Sequence, residues 1–223
     1  MIDGKGLENR YYYIKQAITH IPKGFLKDFQ YRTSIAYKEA FKETELSSSI
    51  LQEQKLQRLI AVRYFHVESA FKKASENYGL SFTAKQLPEN SFRTGYVSCG
   101  HFGFTQSYVQ CIGDLPQPAK YREKLASAGN APRLPLDEPS DIYKPKQHYA
   151  IFTHNPKGKY FSEEMQSLAE LRLSIPYNDM KGWVLNISIM ELIAHYPADD
   201  KKVSAHRAPT WKRKQKRRKE EER

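Results

Sequence analysis

The residues best suited to phosphate chemistry lie between His154 and Lys159. Their order is His-Asn-Pro-Lys-Gly-Lys, and the proline and glycine predict a turn after a strand at residues 147–153. On such a turn Lys157 and Lys159 place positive charge near a phosphate, and Gly158 lets the backbone approach it closely. His154 adds a group that exchanges a proton near neutral pH. The pattern indicates a phosphate site, although an ordinary solvated turn has the same composition.

A histidine that transfers protons in catalysis needs a second group, and His101 is the candidate. His148 shares the predicted strand face of His154, but the six residues that separate them span about 20 Å in a strand. His101 instead follows Gly100 in a predicted turn between two strands. The candidate catalytic residues are therefore His154 and His101, with Lys157 stabilising phosphate charge.

Other polar residues carry weaker signals. Glu170 and Arg172 have the spacing of a Glu-x-Lys pair in metal-dependent nucleases, but arginine does not readily give up a proton and no suitable upstream Asp accompanies them. Arg63 lies in the apolar stripe of a predicted helix, three residues before His66. Both side chains could enter a cleft, although a buried hydrogen bond explains such residues more often. We predict no metal site and no cofactor.

The C-terminal segment has a charge that predicts a polyanionic partner. The net charge of the chain is +11, and residues 201–223 hold eleven Lys or Arg against three Glu, a net charge of +8. Like charges at this density repel each other, which predicts a disordered tail. Cations docked on phosphates release counterions and give affinity that depends on salt, and a tryptophan can stack on an unpaired base. A solubilising tail or a nuclear-localisation signal is the alternative. The predicted nucleic-acid contacts are Trp211, Lys212, Arg213, Lys214, Lys216, Arg217, Arg218 and Lys219, joined by Lys157 and Lys159.

The elements that position these residues form a predicted α+β fold, in which a helical N-terminal part packs on a mainly antiparallel β-sheet. We predict a helical region over residues 1–90, a β-rich region over 92–197 and a flexible basic tail over 198–223. Apolar residues at helical spacing predict helices that break near Pro22, followed by a long helix over about 46–78. Whether the helical and β regions are separate domains does not follow from the pattern.

The clearest strand pattern is a hairpin. Apolar and polar residues alternate over 169–175 and again over 183–187, with turn-forming residues between them. Ser188 and Glu191 then form a capping box that predicts a short helix over 189–195. The polar face of this hairpin is predicted to be exposed and offers a surface for a protein partner. Its residues are Glu170, Arg172, Ser174 and Asn186.

Residues 94–113 predict two more strands, joined near residues 100–103. Parity places Tyr96, Phe102 and Phe104 on one face and Val97 and Cys99 on the other. The proline-rich connection over 114–145, with a short helix at 121–128, is either an ordered strap over the core or a lid that binds a partner.

Several activities are disfavoured because their motifs are absent. The chain has no GxxxxGK[ST], GxGxxG, HExxH or GxSxG motif, which argues against a nucleotide-driven motor, a zinc peptidase of that type and an α/β-hydrolase. No apolar run reaches the roughly 20 residues that span a bilayer, and Cys99 and Cys111 lack a CxxC spacing. These features predict a soluble, cytoplasmic protein without a membrane partner.

Three functions fit the sequence. The first is a small intracellular nucleic-acid-binding protein, accessory or regulatory, whose tail contacts the phosphate backbone of RNA or DNA. The second is a metal-independent ribonuclease or toxin-like enzyme that uses the histidines and lysines above. The third is a protein-binding inhibitor or antitoxin-like module that uses the hairpin face.

Overall fold

The protein has the predicted α+β fold, with helices packed on a six-stranded, mostly antiparallel sheet. The computed structural model describes residues 4–86, 93–130 and 147–197, and their side chains from residue 9 onward. The helices are α1 (Gly4–His20), α2 (Lys23–Glu45), α3 (Lys55–Asn77), α4 (Lys120–Gly129) and α5 (Ile189–Ala194). The strands are β1 (Ser81–Gln86), β2 (Arg93–Cys99), β3 (Phe102–Tyr108), β4 (His148–Pro156), β5 (Leu168–Pro176) and β6 (Trp183–Ser188).

The strands of the sheet lie in chain order, from β1 to β6. Neighbouring strands are antiparallel except β3 and β4, which are parallel because the chain crosses back through α4 between them. The predicted hairpin is confirmed as β5 and β6, and the predicted strands on either side of residue 100 are confirmed as β2 and β3. Strand β1 was not predicted, and it falls inside the region expected to be helical.

The N-terminal helices also follow the predicted pattern, with one difference. The break near Pro22 separates α1 from α2, as expected. The long third helix begins at Lys55 rather than near residue 46, because a loop and a short 3-10 helix (Gln52–Gln54) precede it. Helices α2 and α3 form an antiparallel hairpin, in which Asp28 contacts Asn77 at one end and Glu43 contacts His66 near the other.

Helices α1, α2, α3 and α5 cover one face of the sheet and share a single hydrophobic core with it. Aromatic rings fill its centre, where Phe29 of α2 and Phe71 of α3 both pack against Phe152 of β4 at 5.1 and 5.8 Å between ring centroids. This common core joins the helical and β regions into one packed unit.

The predicted faces of β2 and β3 were wrong. Val97 pairs with Phe104 and Cys99 pairs with Phe102, and directly paired residues point to the same face. All four therefore face the helices, whereas Tyr96 lies on the opposite face, where its hydroxyl approaches Gly103. The error came from carrying one parity through the two-residue turn, which pairs odd positions of β2 with even positions of β3.

The second face of the sheet is covered in part by α4, which matches the short helix predicted at 121–128. Ala126 packs on Tyr149 and Ile151 of β4. The buried side chain of Asn130 fixes the end of α4 by bonding both backbone groups of Tyr149 and the carbonyl of Pro176, each at 2.9 Å. These bonds hold the end of α4 over β4 and β5.

The polar face of the β5–β6 hairpin is less exposed than predicted. Ser174 is buried and bonds Thr153 at 2.9 Å. Arg172 is half-buried and bonds the side chain of Asn186 and Glu170, the latter at 2.8 Å. These side chains satisfy one another, so the prediction that all four are exposed was wrong.

No helix among the described residues is long and apolar enough to cross a bilayer. The C-terminal tail over residues 198–223 and residues 131–145 of the connection predicted over 114–145 lie outside the described residues.

Candidate functional site

His154 lies in a strand and not in the predicted turn. Strand β4 continues to Pro156, and His154 pairs with Leu171 of β5. Its side chain points at the α2–α3 hairpin and is only 1% exposed. The predicted turn at His154–Lys159 was wrong in its first half because pairing with β5 extends the strand past the residues that signal a turn.

A chain of hydrogen bonds holds the imidazole of His154. The hydroxyl of Tyr37 on α2 lies 2.7 Å from Nδ1, and Oε1 of Gln106 on β3 lies 2.8 Å from Nε2. Nε2 of Gln106 donates in turn to Glu68 of α3 at 2.8 Å, and Glu68 also accepts from the backbone N–H of Gly95. The neutral imidazole with its proton on Nε2 satisfies every contact, because Tyr37 then donates to Nδ1.

Burial sets the charges along this chain. It lowers the pKa of His154 to about 3, and the positive charge of Arg63 acts in the same direction. Burial also raises the pKa of Tyr37 and that of the Glu68 carboxyl. The imidazole is therefore neutral across the physiological range, and both of its nitrogens are occupied. This arrangement favours a structural role, and the catalytic role of His154 stays a prediction that the geometry does not favour.

Arg63 of α3 lies beside this series of hydrogen bonds and is the most unusual side chain of the site. It is 1% exposed, and its guanidinium carbon lies 4.3 Å from the ring centre of Tyr37 and 5.9 Å from that of Tyr108. Nη2 donates to the side-chain oxygen of Gln166 at 2.7 Å and to the Gln166 carbonyl at 3.4 Å. Nε and Nη1 have no hydrogen-bond partner in the part of the chain that the structure describes. A cation is thus buried against rings and an amide, and burial lowers its pKa.

A loop over residues 157–167 covers Arg63, and both lysines of the predicted phosphate site lie in it. Lys157 and Lys159 are exposed in the arm that leaves β4. Gln166 is buried, and its Nε2 donates to the carbonyls of Gly158 at 3.0 Å and Tyr160 at 2.8 Å. The side chain that accepts from Arg63 therefore also holds the loop in its present shape.

A second buried arginine lies on the opposite face of the sheet. Arg122, in the first turn of α4, donates to Ser107 of β3 at 3.0 Å and to the carbonyl of Gln117 at 2.7 Å, while its Nε has no partner. Gln106 and Ser107 are consecutive in β3, so their side chains point to opposite faces of the sheet. Arg63 lies on the face of Gln106 and Arg122 on the face of Ser107, and the two arginines therefore flank the carboxyl end of this strand. No carboxylate of the described residues forms an ion pair with either guanidinium.

His101 lies at the other end of the same strands. It precedes β3, where Phe102 pairs with His148, whereas His154 pairs with Tyr108 at the far end. Its ring packs against His20 at 4.6 Å between centroids and is exposed. The structure therefore does not bring His101 to His154. Within the described ranges, no group of three or more His, Cys, Asp or Glu side chains could hold a metal ion.

The remaining polar candidates have partners of their own. Glu170 and Arg172 bond each other on β5 at 2.8 Å. His66 does not enter a cleft, because it packs between the helices and lies 2.8 Å from Glu43 and 3.5 Å from Glu39. The tail residues from Trp211 to Lys219 lie outside the described residues.

Sequence reasoning missed four members of the site, which are Tyr37, Glu68, Gln106 and Gln166. Tyr37, Glu68 and Gln106 are isolated polar residues on three separate elements. Only the packing of α2 and α3 on the sheet brings them together. Arg63 did carry a signal, because an arginine in the apolar stripe of a helix must be buried.

The site suits the binding of an anion better than proton transfer. It holds the buried guanidinium of Arg63, two of whose nitrogens have no partner among the described residues, while its histidine is neutral and fully bonded. No protein family, no curated protein and no solved structure matches the chain.

Proposed function

We propose that the protein binds nucleic acid, with residues 201–223 as the principal contact to the phosphate backbone. The observation that carries the proposal is the charge distribution, since this segment holds +8 of the net charge of +11. A cationic segment of this density binds phosphates without reading base sequence, and its affinity falls steeply as salt rises. Trp211 adds a stacking contact with an unpaired base.

The attachment of the segment to the body supports this role. Tyr196, after α5, donates its hydroxyl to the carbonyl of Ile21 at 2.6 Å, and Lys23 donates to the carbonyl of Pro197 at 3.4 Å. The described part of the chain thus ends at a fixed point beside the junction of α1 and α2, four residues before the basic segment. Nucleic acid bound to the segment is held next to the body, which then supplies the recognition of partners.

The test is fluorescence anisotropy with labelled single-stranded RNA and duplex DNA over a salt series. We compare the full chain with a chain that ends at Asp200 and with a full-length variant in which the seven Lys and Arg of residues 212–219 become Gln. Binding by the wild type should weaken steeply with salt, and both altered chains should lose most of it.

A tryptophan variant provides the matched control. Trp211→Ala keeps every tail charge, so it should weaken binding to single-stranded RNA while leaving duplex DNA nearly unaffected. Equal binding by the wild type and the chain that ends at Asp200 would contradict the proposal, as would no binding by either.

The ribonuclease alternative is tested in the same samples. His154→Ala and His101→Ala should both abolish RNA cleavage if these residues act together, whereas a binding protein has no cleavage to lose. The bonded nitrogens of His154 favour the binding function.

A further inference from the structure

Arg63 has a buried positive charge that its surroundings do not balance. Among the described residues its Nε and Nη1 have no partner, and Gln166 is the one residue there that accepts from it. Stacking on Tyr37 at 4.3 Å offsets part of the desolvation, but a buried cation without an anion remains unfavourable. An apolar residue at this position would complete the stripe of α3 without that cost. The arginine therefore points to an anion that is bound at times.

The unused donors have the geometry that an oxyanion needs. A guanidinium offers two bidentate edges, one formed by Nε and Nη2 and the other by Nη1 and Nη2. Nη2 belongs to both edges, and it is the nitrogen that Gln166 occupies. Release of Gln166 would therefore free a complete edge for two oxygens of one ligand.

The loop over residues 157–167 has the construction of a movable cover. Most of its hydrogen bonds are internal, such as Gly158 N–H to the Met165 carbonyl at 2.8 Å and Lys157 N–H to the Ser167 carbonyl at 3.0 Å. Its tip residue Tyr160 is 80% exposed. The side chains that fasten the loop to the helices are Gln166, on Arg63, and Phe161, whose ring packs on Phe41 at 4.8 Å. A loop with internal bonds and few anchors can move as a unit.

We propose that Arg63 is the anion-binding residue of a covered site, and that the 157–167 loop opens to exchange Gln166 for a phosphate group. Lys157 and Lys159 lie in the arm next to β4 and give the opened site further positive charge, while Glu163 and Glu164 lie in the turn beyond it. A phosphate monoester has the charge and the adjacent oxygens to match this site. The inference does not depend on nucleic-acid binding by residues 201–223.

Thermal unfolding of the full chain tests the site. Inorganic phosphate should raise Tm in a concentration-dependent way, beyond sodium chloride or acetate at equal ionic strength, because it binds the folded state. Arg63→Met keeps the length of the side chain and removes its charge. It should lose the specific shift while its own Tm without phosphate stays equal or rises. Phosphate also stabilises folded proteins in general, because it is excluded from their surface. The Tm shift that remains in Arg63→Met measures this general effect.

A second variant tests the role of the 157–167 loop, and its result does not depend on whether Arg63→Met is stable. Gln166→Glu places a carboxylate oxygen on Nη2 of Arg63, so it should remove the phosphate shift, while the loss of the two Nε2 donations to the carbonyls of Gly158 and Tyr160 offsets its effect on Tm without ligand. Glu163→Gln in the same loop is the matched control and should keep the shift.

Three results would overturn the proposal. They are no phosphate shift in the wild type, an equal shift in Arg63→Met, and an unchanged shift in Gln166→Glu. The full-length variant in which the seven Lys and Arg of residues 212–219 become Gln separates this site from the proposed function, because it should lose nucleic-acid binding and keep the phosphate shift.

Discussion

A histidine lies at each end of β4, and the two have different surroundings. His148 and His154 lie on one face of the strand and are both buried, at 3% and 1% exposure. His154 bonds through both nitrogens, whereas Nδ1 of His148 has no partner. His148 instead packs edge-on against the ring of Tyr13 at 5.0 Å and beside that of Phe102 at 5.5 Å.

The difference follows from the helices that cover each end. Helices α2 and α3 bring Tyr37 and Glu68 over the carboxyl end of β4, and Gln106 comes from the neighbouring strand. Helix α1 brings tyrosine rings over the other end, where Tyr12 and Tyr13 face His148. His154 is thus a hydrogen-bonded member of a polar network, whereas His148 packs as an aromatic ring among other rings. Substitutions at the two positions should separate these roles.

The largest effect is expected for His154→Leu. The change leaves the Tyr37 hydroxyl and the Gln106 amide oxygen buried without partners, and each such group costs about 1–3 kcal/mol. We expect a loss of about 3 kcal/mol in the free energy of unfolding, measured by urea denaturation. The double variant Tyr37→Phe, His154→Leu should recover part of this loss, because it removes the Tyr37 hydroxyl that would otherwise be buried without a partner. A loss below about 1 kcal/mol would mean that the network is not a stabilising unit.

The second effect is a fall in stability as the pH drops. His154 has a pKa of about 3 in the folded protein and of 6.5 when unfolded, so below pH 6.5 the unfolded chain binds a proton that the folded one does not. This histidine alone should lower the free energy of unfolding by about 2 kcal/mol between pH 7.5 and pH 5. Burial lowers the pKa of His148 too, which adds to the fall, whereas the raised pKa of Glu68 opposes it.

Urea denaturation at several pH values checks this prediction. Stability should be complete above about pH 7 and fall below it, and His154→Leu should flatten the profile. An identical slope in wild type and variant would show that other groups govern the pH dependence.

The smallest effect is expected for His148→Leu. Among the described residues Nδ1 of His148 has no partner, so leucine removes only the hydrogen bond of the ring to the backbone of Gly129 and keeps an apolar side chain against Tyr13 and Phe102. The free energy of unfolding at pH 7 should change by less than about 1 kcal/mol, and the variant should gain stability relative to the wild type at pH 5. A loss as large as that of His154→Leu would erase the contrast between the two ends.

The sequence predicted the elements better than the site. Alternation over 169–175 and 183–187 gave the β5–β6 hairpin, and Ser188 caps α5 through the N–H of Glu191 at 3.0 Å, as expected. The local signal at His154 was misleading, because the pairing of β4 with β5 is a long-range contact that overrides the turn preference of Asn155 and Pro156. Gln106 and Tyr37 have no pattern of their own, and only tertiary packing shows that they meet.

The single parallel seam between β3 and β4 has a consequence for how the chain folds. Strands β1 to β3 form one antiparallel meander and strands β4 to β6 form another, each built from neighbours in the sequence. The seam joins them only after the connection from residue 109 to 147 has closed, which costs chain entropy before any pairing across it is gained. We therefore expect the joining of two locally formed halves, rather than the formation of either half, to set the folding rate.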